Sequence, residues 1–176
     1  MDNTADFGVD SLIVDDSLSA MIDEQTRARM WTATESILTR GPIAEPAIDT
    51  AIGLALGYVQ SGKTSSMSTL IAKAADQGYR VIVALLGGTN ILLEQNQNRI
   101  RETLQIDQRS DYRWIVEENP KGRAGGARIK DWLERGRVVL RQALQRVAAI
   151  NLHGGLVSRR LHRVNHLRGL AVAEAI

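Results

Sequence analysis

The chain lacks cysteine altogether, which excludes disulfides and thiolate metal sites and makes a reducing compartment the natural setting. It lacks a secretory leader pattern. The opening Met1-Asp2-Asn3-Thr4-Ala5-Asp6 is acidic, where a signal peptide is basic and then apolar. It also lacks a long apolar run. The longest purely aliphatic stretch is Val81 to Leu86, and a bilayer span needs roughly 20 residues. The expectation is a cytoplasmic protein with no membrane partner. No internal repeat and no low-complexity tract is present.

What is present is ordinary in bulk and uneven along the chain. The 176 residues are 44% hydrophobic and 24% charged, enough for a buried core and too apolar for wholesale disorder. The net charge of +2 conceals a gradient. Residues 1–56 hold ten acidic and three basic side chains, a net of −7. Residues 57–118 hold seven of each. Residues 119–176 hold three acidic and twelve basic side chains, a net of +9. Such a tail can meet nucleic-acid phosphates, or can be a solvated helix face.

Three segments follow from patterning. The first dozen residues are polar and expected to be mobile. Asp15, Asp16 and Ser17 are candidate caps for a helix over about Ser19–Thr39, with Met21, Ala28, Trp31 and Leu38 near one face. Gly41-Pro42 stops it, so residues 1–45 read as an N-terminal helical segment. Residues 50–118 read as an α/β core with a parallel sheet. Ile52–Leu56 is a candidate buried strand. Met67, Leu70, Ile71 and Ala74 follow helical spacing, and Gly78 stands where a left-handed C-cap is wanted. Arg80–Leu86 reads as a strand buried on both faces. Thr89 or Asn90 can cap a helix over Ile91–Leu104. Tyr112–Val116 is a candidate third strand. Asn119–Gly126 reads as a loop. Residues 119–176 then read as a basic, irregular or mainly helical tail, with Trp132, Leu133, Leu140, Leu144 and Val147 on one helix.

Between the Ile52 strand and the Met67 helix stands Gly57-Tyr58-Val59-Gln60-Ser61-Gly62-Lys63-Thr64. It meets the pattern G-x-x-x-x-G-K-[ST] in full. Glycines let the backbone turn its N–H groups onto phosphate oxygens, and the following helix aims its positive end at the anion. Lys63 is expected to reach the outer phosphates, and Thr64 to place its hydroxyl on Mg²⁺. Gln60, Ser61 and Ser65 complete the candidate nucleotide-binding set, with Gln60 touching either the nucleotide or the strand edge. Chance would give this pattern in under about 1% of chains of this length. The expected ligands are ATP and Mg²⁺, and the fold class is a P-loop NTPase core.

This loop, the following Leu70–Val83 and the stretch Leu86–Arg99 resemble the Z-one domain family, endonuclease-type proteins with a helicase-like ATPase core. The likeness covers about residues 50–105. It implies ATP hydrolysis coupled to DNA processing or defence, with Thr89 and Asn90 as candidate DNA contacts. Helix capping explains the same two residues. The chain departs from the family in two respects. A motor of this kind needs a carboxylate after an apolar strand to hold Mg²⁺ and orient water. Here only Glu117 and Glu118 answer, with Glu117 the candidate catalytic carboxylate and a solvated loop the alternative. Family members are also longer, with a second motor-like lobe. The tail after about Gly136 does not resemble them, so the expectation is a truncated or frame-shifted reading frame, completed by a missing C-terminal lobe or a partner nuclease. Two further readings stand beside this one, a non-catalytic nucleotide-binding remnant and a small P-loop kinase. No guanine-specific Asn/Thr-Lys-x-Asp signature is present.

Three weaker features complete the reading. His162 and His166 are one helical turn apart, but His153 is the only further histidine, so exposed side chains on a basic helix are expected. Glu117, Glu118 and Lys121 lack the strand context of a nuclease centre. Trp31, Trp114 and Trp132 sit in apolar patterns and are expected in the core.

Overall fold

The computed structural model of the protein describes residues 7–40, 62–86, 89–118, 125–143 and 168–173. They form two compact units, divided between Gln77 and Gly78 and again near the ends of residues 100–107, which belong with the first unit.

The first unit begins earlier than its polar sequence suggests. Helix α1 runs Val9–Ser19 and helix α2 Glu24–Thr39. The helix expected over Ser19–Thr39 is present from Glu24 onward, an additional helix precedes it, and the opening dozen residues expected to be mobile run into that first helix. The reason lies in Asp23, whose carboxylate accepts the Thr26 amide at 2.9 Å and starts α2 afresh. The expected caps lie inside α1 instead. Ser17 donates back to the Ile13 carbonyl at 2.9 Å. Asp15 reaches across to α2, accepting from Trp31 Nε1 at 2.8 Å and Arg27 Nε at 3.1 Å. Trp31 is buried, its ring 4.5 Å from that of Phe7, as a core role requires.

Helix α3 runs Lys63–Asp76, and every residue from Met67 to Ala75 is buried. It packs against both α1 and α2. Val14, Leu18, Leu38, Leu70 and Ile71 supply apolar core, each such side chain contributing roughly 1.5–3 kcal/mol when fully buried. Gly78 ends the segment at φ +88°, the left-handed conformation expected of it.

The second unit is built on a four-stranded sheet. Strand β1 is Tyr79–Leu85, β2 Trp114–Glu118, β3 Val138–Ala143 and β4 Arg168–Ala173, in the order β2-β3-β1-β4. All pairings are parallel. The strand expected at Arg80–Leu86 is therefore present, buried on both faces and inside the sheet. Helix α4, Asn90–Thr103, follows it as expected. The third strand lies two residues later than its apolar run suggests. Tyr112 takes φ +48° and is exposed, and the Asp111 carboxylate accepts the Arg113 amide at 3.1 Å, so a turn occupies the start of that run.

The C-terminal region corrects the sequence reading most. Helix α5 occupies Gly125–Glu134, taking Gly125 and Gly126 out of the expected loop. The helix expected to join Trp132 to Leu140 stops near Gly136, whose φ is +78° and whose amide donates to the Leu133 carbonyl at 3.1 Å. Val138, Val139 and Leu140 are then fully sheltered in β3. A continuous apolar run suits a strand covered on both faces, and helical spacing cannot tell the two apart. β4 likewise replaces irregular or helical tail with a strand beside β1. The fold is α/β, with N-terminal helices and a parallel sheet. Ile52–Leu56, Leu144 and Val147 lie outside the described residues.

Candidate functional site

Gly57, Tyr58, Val59, Gln60 and Ser61 lie outside the described residues, which take up the motif at Gly62. Gly62 is the N-cap of α3 with φ +74° and ψ +26°. A side chain at that φ would be strained, so the GK step needs its glycine. Lys63, Thr64 and Ser65 form the first turn, each half-buried. The Gly62 carbonyl accepts the Ser66 amide at 3.0 Å, closing that turn. The start of α3 carries no side-chain cap hydrogen bond and no acidic residue in its first turn. First-turn amides have no acceptor within their own helix, and the helix dipole adds positive potential there.

Further along, polar links tie α3 to its neighbours. Thr69 Oγ1 and Thr34 Oγ1 share a buried hydrogen bond of 2.9 Å, and Thr69 also donates to the Ser66 carbonyl at 2.8 Å. The Lys73 Nζ lies 3.2 Å from Glu35 and 5.5 Å from the centre of the Phe7 ring. Asp76, the last residue of α3, accepts the amides of Asp10 at 3.1 Å and Ser11 at 2.8 Å. Sequence reasoning missed these residues because each pairing joins positions far apart in the chain. No local signature marks them.

Glu117 and Glu118 end β2 and so belong to a strand, not to a loop. Glu117 lies opposite Arg141 of β3, with carboxylate and guanidinium 3.1 Å apart. Glu118 is exposed and lies opposite Gln142. Gln142 itself is fully buried, and neither atom of its amide has a hydrogen-bond partner among the described residues.

Thr89 and Asn90 are both exposed. Thr89 Oγ1 accepts the Leu92 amide at 3.3 Å, so it caps α4 as its sequence position suggests. Trp114 is buried, while Trp132 is half-buried with the Arg128 guanidinium 5.9 Å from its ring centre. Lys121, His153, His162 and His166 lie outside the described residues. Among the described residues no three His, Cys, Asp or Glu side chains gather as metal ligands. Nor is any described helix long and apolar enough to cross a membrane.

Two carboxylates are held below the usual aspartate range. The Thr26 amide and hydroxyl lower Asp23. The Arg109 guanidinium, hydrogen-bonded to Asp111, lowers that group, helped by the Arg113 amide.

No family model, curated protein or solved structure matches the chain. The likeness to the Z-one family therefore rests on the residues quoted for it.

Proposed function

We propose that the chain binds a nucleoside triphosphate with Mg²⁺ at Gly57–Ser65, and that it is a helicase-like ATPase of DNA processing or defence. One observation carries the nucleotide reading. The Gly-Lys-Thr of a complete phosphate-loop motif falls on a left-handed glycine and the first turn of a buried 14-residue helix. That helix start bears no anion of its own. A phosphate placed there meets backbone amides, the helix dipole and the Lys63 ammonium together. Thr64 brings a hydroxyl of the kind that holds Mg²⁺ in such loops, and the metal's charge would neutralise the phosphates. Gln60 and Ser61 extend the cradle on the loop side.

DNA enters through the family likeness and the basic C-terminal third. Glu117 is the candidate for orienting the attacking water. Its pairing with Arg141 favours a second reading, a nucleotide-binding protein that turns over slowly or not at all.

ATP hydrolysis by the purified chain, with and without DNA, beside Lys63→Ala, tests both. Turnover stimulated by DNA and lost in the variant is expected of the ATPase. Binding without turnover supports the second reading. A wild type that neither binds nor hydrolyses ATP rejects both.

A further inference from the structure

Asp76 occupies an unusual place for the last residue of a helix. Its two oxygens accept the amides of Asp10 and Ser11, so the end of α3 supplies the side-chain acceptor that the N-cap of α1 lacks. Gly8, the N-cap of α1, offers no side chain for that task. It also leaves the space Asp76 needs. A Cβ at Gly8 would lie 2.3 Å from Asp76 Cγ and 2.5 Å from its Oδ1. The Gly8 backbone itself, at φ −79° and ψ −178°, suits any residue. Glycine is required here by the carboxylate, not by the backbone.

Two more links fix α3 to α2, at Thr69–Thr34 and Lys73–Glu35. These contacts hold the middle and far end of α3, while the sequence motif runs into its first turn. We infer that α1 and α2 form a clasp on α3, fastened at Asp76, and that nucleotide affinity at the start of α3 depends on the clasp being closed. The inference rests on the nucleotide reading above. Its physical basis is that a stiff helix is ordered as a whole. A ligand at one end and a clasp at the other favour the same ordered state, and such coupling is reciprocal.

The test uses the full chain, Mg²⁺ and a fluorescent ATP analogue, with amide exchange at Asp10 and Ser11 read in parallel. Gly8→Ala expels the carboxylate from the α1 side, and Asp76→Ala removes it from the α3 side. Each is expected to speed exchange at those amides and to weaken nucleotide affinity about five-fold or more. The double variant is expected to bind no more weakly than the worse single one, because both break one contact. Asp76→Asn keeps one acceptor oxygen and should fall between, and it decides the matter if Asp76→Ala does not fold. Saturating nucleotide should slow exchange at Asp10 and Ser11 in the wild type. Folded variants with fast exchange and wild-type affinity would overturn the clasp and leave the nucleotide site standing. A wild type that binds no nucleotide would remove both.

Discussion

Gln142, the penultimate residue of the central strand β3, is fully buried, with no partner for either atom of its amide among the described residues. Each buried polar group left unmade costs about 1–3 kcal/mol. Methionine has similar length and no such requirement. Gln142→Met is therefore expected to raise unfolding stability by about 1–3 kcal/mol, read as a higher urea midpoint at unchanged slope. A lower midpoint would show that the amide has a partner. Asp15 teaches the converse lesson about single residues. Its position before a helix-forming run marks it as a cap. Its actual partners, Arg27 and Trp31, lie 12 and 16 residues further on, in α2. Side-chain chemistry restricted Asp15 to accepting hydrogen bonds but left the donors open, because tertiary placement chooses them.

At the scale of elements, legibility followed locality. Helix α4 and strand β1 lie within a residue or two of their expected bounds, since capping and apolar runs are local signals. The split between α1 and α2 depends on Asp23, which competes with helix continuation through its own side chain. That competition is titratable. The folded carboxyl is held below its usual value near 3.8, chiefly by the Thr26 amide. A lowered folded value stabilises the fold above the unfolded value, and the contribution fades as pH falls through the folded one. Between about pH 5 and about pH 2, the protection factor of the Thr26 amide should therefore fall faster than those in the middle of α2. Asp23→Ala should show low protection at the start of α2 already at the upper end of that range. Equal acid sensitivity throughout α2 in the wild type would show that Asp23 does not control this helix start.

For the whole molecule, the α/β class was readable, but the make-up of the sheet was not. Val138–Leu140 reads equally as a helix face or a strand, and only pairing with β1 and β2 decides. The G-x-x-x-x-G-K-[ST] pattern was legible as sequence because it is a run of consecutive residues, and of it the structure describes the left-handed Gly62 and the first turn of α3. The Arg141 contact of Glu117 was not, since it forms only across a strand pair. The charge gradient is a second whole-chain property visible from sequence, and it carries its own test. With a net of +9 in residues 119–176, DNA binding through that region should be mainly phosphate contact. Each neutralised phosphate releases counterions, so the logarithm of affinity should fall linearly with that of salt, by about 0.9 per phosphate on duplex DNA. Replacing Arg128 and Arg135, both exposed, with glutamine should flatten that slope and leave nucleotide affinity unchanged. Affinity indifferent to salt would place the basic residues on a solvated face and remove the charge argument for a DNA partner.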